Sequence, residues 1–89
     1  MRAIVTVVGN DRVGIIAEVS TLLASSSVNI LDISQTVLAE FFTMVMLVDT
    51  QHFNGQFSEL AELLEARGRD IQMSIRIQRE DIFEAMHRI

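Results

Sequence analysis

Residues Ile30 to Asp49 run for twenty positions through Ile, Val, Leu, Phe, Met and Thr with no glycine or proline. The run is too long for one ordinary strand and too β-branched for a helix. It therefore reads as two antiparallel strands, 30–38 and 41–48, folded back at Ala39-Glu40. The bend carries no Gly, Asn or Pro, so its turn chemistry is weak and the length of the run carries the reading.

The flanking segments alternate between strand and helix periods. Ala3 to Val8 is a short β-branched run, apolar on both faces, and Gly9-Asn10 marks a turn. Asp11 is a helix N-cap candidate, followed by Ile15, Ile16, Val19, Leu22 and Leu23 at helical spacing. Ser25-Ser26-Ser27 and Val28-Asn29 end that helix. Asn54 is the second N-cap candidate, Phe57, Leu60, Ala61 and Leu64 make the second stripe, and Gly68 stands where a helix stop is expected. Ile71, Met73, Ile75 and Ile77 alternate with polar residues to Gln78, which describes a strand with one wet face. Residues 80–89 suit a short last helix with Ile82, Phe83, Met86 and Ile89 on one side and His87 and Arg88 near its C-terminus.

The order is βαββαβ plus a tail, within a chain of 89 residues that makes one domain. Strands 3–8 and 41–48 have the doubly apolar character of central strands. Strand 71–78 has a polar face, and strand 30–38 carries Asp32, Ser34 and Gln35, as edges do. Right-handed crossovers then give an antiparallel sheet of order 4-1-3-2, a ferredoxin-like α+β sandwich. Both helices fall on one face. The apolar centre of the other face needs a cover, either a second subunit or the tail.

The fold hosts many functions, so residues must decide among them. The chain has no Cys, which excludes disulfides, thiolate metal sites and a cysteine nucleophile. All seven basic residues are Arg, against twelve acidic ones, for a net charge of −5. That balance opposes direct nucleic-acid binding, and strand 3–8 lacks the aromatics of an RNA-binding sheet. Gly9-x4-Gly14 is followed by Ile15-Ile16 and not by Lys and Ser/Thr, so it is no phosphate-binding loop. Glu59, Glu62 and Glu65 read as a solvated helix face, and neither His52 nor His87 has the neighbours of a catalytic triad. No metal, cofactor or catalytic group is expected. No membrane span or signal peptide is expected either, which makes the cytoplasm the default location.

What remains is the first strand–helix junction, Gly9-Asn10-Asp11-Arg12-Val13-Gly14. A glycine in a first helical turn costs about 1 kcal/mol relative to Ala, and a close ligand or backbone would explain it. The free N–H groups of the helix start suit a carboxylate. Asn29, opening the second strand, can read both the ammonium and the carboxylate of an amino acid. The plainer reading leaves Gly14 relieving crowding, Asp11 capping and Asn29 turning the chain.

These residues resemble an ACT domain. The strand, then Asp11-Arg12-Val13-Gly14-Ile15, a helix and Val28-Asn29-Ile30 are similar to the family pattern over residues 1–78. Asn29 to Thr36, Phe42-Thr43-Met44 and the tail from Glu80 to Ile89 resemble stand-alone members of the family over nearly the whole chain. There is a more distant similarity to the ACT halves of the glycine-cleavage transcriptional repressor. The resemblance implies an ACT domain at 1–79 with a helical tail at 80–89, no catalytic activity of its own, and sensing of a small molecule, typically an amino acid. It also implies pairing of subunits with effectors at the interface. Carried onto this sequence, Asn10, Asp11, Arg12, Val13, Gly14 and Ile15 form one side of that site and Asn29 and Ile30 the partner side. Position 9 is Gly where some serine-binding members have a ligand-contacting His, which argues against serine. Asp11 suits a ligand's ammonium better than its carboxylate.

The expected assembly is a homodimer or higher homo-oligomer. Ser34, Gln35 and Thr36 are candidate hydrogen-bonding residues at a dimer edge, and Ile82, Phe83, Met86 and Ile89 a candidate contact face. A stand-alone member signals through a separate regulated protein. The alternative is a ligand-free dimerisation or protein-interaction module working through the tail.

Overall fold

The computed structural model describes residues 1–82 of the chain. Its elements are β1 (Arg2–Asn10), α1 (Ile15–Ser25), β2 (Asn29–Leu38), β3 (Phe41–Asp49), α2 (Phe57–Asp70) and β4 (Met73–Arg79). The four strands make one sheet in the order β2-β3-β1-β4, the expected 4-1-3-2 read from its other edge. All pairings are antiparallel. The β1–β3 ladder runs from Arg2↔Asp49 to Asn10↔Phe41, and the β1–β4 ladder from Ala3↔Arg79 to Gly9↔Met73. The β2–β3 ladder runs from Asn29↔Asp49 to Leu38↔Phe41 with a bulge between Ile30 and Asp32.

The long apolar run does fold back at Ala39-Glu40. Leu38↔Phe41 closes the hairpin, and Ala39 takes φ 54°, a bend ordinarily given to glycine or asparagine. Burial of β3's Phe42, Met44, Met46 and Val48, together with the β2–β3 ladder, outweighs a left-handed alanine, which costs about 1–2 kcal/mol.

Side chains alternate across a strand, so Val5, Val7, Met44, Met46, Ile75 and Ile77 share one face. Against it pack Ile15, Val19 and Leu23 of α1 and Leu60 and Leu64 of α2, all buried. Each such side chain contributes roughly 1.5–3 kcal/mol by leaving water. Both helices lie on this face, as expected. On the opposite face Ile4, Thr6, Thr43, Val45 and Leu47 are half-buried and Val8 is 41% exposed. β2 contains no buried residue, as the edge assignment requires.

Several boundaries differ from the sequence reading, each for a local reason. β1 continues through Gly9 and Asn10, read above as a turn, because both keep their ladder partners. The cap of α2 is Gln56 and not Asn54; the Glu59 carboxylate accepts the Gln56 N–H at 3.1 Å, fixing the start two residues later. Gly68 does not stop α2, which runs on to Asp70. A Cβ there would lie 2.8 Å from the Met73 carbonyl oxygen and 3.0 Å from Ile75 Cγ1. This glycine lets α2 approach β4. The chain reverses instead at Ile71-Gln72, where Gln72 has φ 61°, so β4 begins at Met73 and not at Ile71. Residues 80–82 open a helical turn, with Ile82 exposed. The expected contacts of Phe83, Met86 and Ile89 lie outside the described residues.

Candidate functional site

Four residues, 11–14, join β1 to α1. The Asp11 N–H donates to the Glu40 carbonyl at 2.7 Å, which pins the loop to the β2–β3 turn. Asp11 is therefore not the helix cap. Gly14 takes that position with φ 90°, and among the described residues no side chain caps the helix. The expected first-turn glycine is corrected in the same way: it stands just outside the first turn, and a Cβ there would meet nothing within 4 Å. Its glycine is needed for a left-handed backbone and not for space. The first intrahelical bond runs from the Glu18 N–H to the Gly14 carbonyl at 2.9 Å. The N–H groups ahead of it face the loop, where the helix dipole favours an anion.

Arg12 leans back over α1. Its Nη1 and Nη2 donate to the two Glu18 carboxylate oxygens at 3.2 and 2.5 Å, and Nη2 also donates to the Ile71 carbonyl at 3.3 Å. One side chain thus ties the first loop to the helix it precedes and to the α2–β4 connection. The bidentate bond holds the Glu18 carboxyl below the usual glutamate range and raises the already basic Arg12 further. Val13 is 99% exposed, and Asn10 and Asp11 are exposed beside it. Ile15 is buried in the core, so only its backbone N–H can serve this loop.

A pH prediction follows from Glu18. Its folded pKa is lowered, so as pH falls the unfolded chain binds the proton first. The stabilisation is complete above the ordinary glutamate range and is lost as pH drops through the folded value. Asp49, lowered mainly by the Gln51 N–H bond, acts in the same direction. Glu18→Gln should flatten, without abolishing, the acid limb of stability measured by urea melts between about pH 3 and pH 7. An unchanged acid limb would show that the clasp does not hold in solution.

The other predicted residues are not close to this loop within one chain. Asn29 pairs with Asp49, at the opposite end of the sheet from Asn10 and Phe41. The length of β2 separates them, roughly 30 Å at about 3.3 Å per residue. Asn29 is exposed and Ile30 half-buried. The ladder also splits Ser34-Gln35-Thr36. Ser34 and Thr36 pair with Val45 and Thr43 on the helix-free face, whereas Gln35 pairs with Met44 on the helix face.

Sequence reasoning missed two features. On the helix-face side of β2, Ile33 and Val37 are 42% and 49% exposed beyond the cover of α1. The signal was present as two apolar residues four positions apart, on either side of Gln35 along one face of an edge strand. Between α1 and α2 lies an open groove of about 720 Å³ whose lining includes Leu22, Leu63, Ile71 and Arg67. Nothing in either helix taken alone signals it, because it depends on how far apart the helices sit. Among the described residues, no group of His, Asp or Glu is placed to hold a metal ion, and no helix is long and apolar enough to cross a membrane.

Residues 2–78 match the family model described as "ACT domain". The whole chain aligns with the whole of a UPF0237 protein from Listeria monocytogenes at 47% identity over 89 residues. Among solved structures, an ACT domain protein from Streptococcus pneumoniae superposes with a TM-score of 0.84 and 47% identity, covering 98% of each chain. A protein assigned as a glycine cleavage system transcriptional repressor superposes with a TM-score of 0.68 and 26% identity over 86% of this chain and 44% of that one.

Proposed function

The chain belongs to the ACT-domain family, and from that premise we propose that it is a regulatory module binding a small amino-acid-like ligand at a subunit interface. The observation that carries the reading is the separation of the two candidate halves. The loop 11–14 and Asn29-Ile30 lie at opposite ends of β2, and β2 is a ten-residue edge strand whose outer side pairs with no strand among the described residues. Antiparallel pairing of β2 with the β2 of a second copy carries Asn29 of one subunit toward the Leu38 end of the other, which is the end where loop 11–14 sits. The site is then complete only in the pair. Ser34, Gln35 and Thr36 would meet their counterparts there, and exposed Ile33 and Val37 would lose water.

The ligand's carboxylate would face the uncapped first turn of α1. Its ammonium would face Asp11 and the Asn29 side-chain oxygen of the second copy. Arg12 serves by holding the loop, since its guanidinium is engaged by Glu18 and Ile71. A ligand that binds only the pair shifts association by its differential affinity, and this gives a stand-alone module a signal to pass to a regulated protein.

The test is a thermal-shift screen of the full chain against the twenty amino acids, followed by circular dichroism because the chain has no Trp or Tyr. A ligand present at about 100 times its dissociation constant adds about 2.7 kcal/mol. In a domain this small that is on the order of ten degrees or more. A flat screen on folded protein overturns the sensor reading and favours the ligand-free interaction module.

A further inference from the structure

β4 is the second edge of the sheet. β1 pairs with one side of it, and among the described residues no strand pairs with the other. Along that outer side runs a cleft of about 290 Å³, lined by Glu65 and Arg69 of α2 and by Met73, Ser74, Ile75 and Arg76 of β4. Consecutive strand residues face opposite sides of a sheet. Met73 and Ile75 are buried on the side of α2, whereas Ser74 and Arg76 are exposed on the helix-free face. A cleft touched by both sets lies at the rim of the strand, where every second residue turns its N–H and C=O outward. Arg69 and Arg76 are exposed and stand on either side of that rim, one on the helix side and one on the helix-free side. Neither makes an ion pair among the described residues, although Arg2, Arg12 and Arg79 do. Among the described residues the lining holds one carboxylate, Glu65, against these two cations, so the cleft is net positive in a chain of net charge −5.

We propose that the outer edge of β4 is a docking site for an extended acidic segment of another protein, which joins the sheet as a fifth strand. The site does not depend on the ligand reading, and β2 lies at the opposite edge. The open backbone of β4 supplies the affinity of strand addition, and the two arginines set the charge of what is added. Side chains of an incoming strand alternate between faces as well. Two neighbouring acidic residues therefore reach Arg69 and Arg76, one on each side of the sheet. Charge complementarity selects this occupant over a second copy. A β4 paired with another β4 brings the same arginines together, and β2 offers one acid, Asp32, along its whole length. Arginines at an edge repel unsuited strands. A strand with acids at neighbouring positions is the one that these arginines admit.

Fluorescence anisotropy of short labelled peptides titrated with the full chain tests this. One peptide alternates valine and threonine around two adjacent central glutamates, a second has glutamines there, and a third has lysines. The glutamate peptide should bind, the glutamine peptide roughly tenfold more weakly, and the lysine peptide more weakly still. Arg69→Glu and Arg76→Glu should each weaken the glutamate peptide roughly fivefold or more, and the double variant should prefer the lysine peptide. Arg67→Glu makes the same change in net charge from the groove between the helices and should leave affinity nearly unchanged. Circular dichroism checks that each variant is folded. N-methylation of alternate residues along one edge of the glutamate peptide should abolish binding, and along its other edge should not. The proposal is overturned by a glutamate peptide that binds no better than the glutamine peptide, by Arg67→Glu weakening it as much as the cleft variants do, or by indifference to N-methylation on both edges. It is also overturned by a peptide whose binding dissociates oligomers of the chain in sedimentation, which would give the edge to a second copy.

Discussion

Gly68→Ala should lower the melting temperature, although helix propensity alone predicts the opposite. In an exposed helix, glycine to alanine gains about 1 kcal/mol. Here the new Cβ would meet the Met73 carbonyl oxygen at 2.8 Å, and a β4 backbone atom cannot rotate away as a flexible side chain can. Either α2 or β4 must shift, and overpacking of this kind costs about 1–3 kcal/mol. At about 4–8 °C per kcal/mol, the net loss of several degrees is easily read by circular dichroism. Gly68→Leu should be worse, with much of the chain unfolded at physiological temperature. A higher melting temperature for Gly68→Ala would show that α2 and β4 are not in contact as described.

Gly14→Val should remove the ligand response while the domain still folds. The backbone at Gly14 has φ 90°, which β-branched residues adopt only under strain, and there is open space where a Cβ would go. The substitution is therefore costly through backbone conformation, by about 1–3 kcal/mol, and not through collision. The chain can relieve that strain by rotating the loop, which turns the first N–H groups of α1 away from a bound carboxylate. Gly14→Asn, which tolerates left-handed backbone, should keep most of the response. The contrast between the two variants is the test, read as the amino-acid-induced rise in melting temperature. If Gly14→Val retained the full rise, loop 11–14 would not be the ligand site. If both variants lost it, the space at Gly14 would matter and not its φ.

Most of the architecture was legible because it depends on periods that repeat within a few residues. The alternation in 71–78 and the helical stripes at Val19, Leu23, Leu60 and Leu64 each report a local geometry and the side that faces the core. The doubly apolar character of strands 3–8 and 41–48 reports neighbours on both sides, and from this the sheet order follows. Even the poorly signalled hairpin at Ala39-Glu40 was readable, since no single strand runs for twenty residues.

The same residues misled wherever the answer depended on a distant part of the chain. Asp11 and Asn54 have the chemistry of caps, yet the helices start at Ile15 and Phe57, because Gly14 turns left-handed and Glu59 reaches back to Gln56. Gly68 has the look of a stop, yet it serves a contact with Met73 that only the packing of α2 on β4 creates. Arg12 stands in the candidate ligand loop, but its partners are Glu18 and the Ile71 carbonyl, the latter fifty-nine positions away. Asn29 was grouped with loop 11–14 by resemblance, and the ladder puts them at opposite ends of one sheet.

By itself, then, the sequence determined the kinds of elements, their order and the sheet they form, since periodicity and edge polarity are properties of a segment and its immediate surroundings. The tertiary structure alone decided what Gly14 and Gly68 are for, which carboxylate Arg12 meets, and that the two candidate half-sites lie at opposite ends of one sheet. Those are distances between segments far apart in the chain, and they exist only once the helices have packed on the sheet.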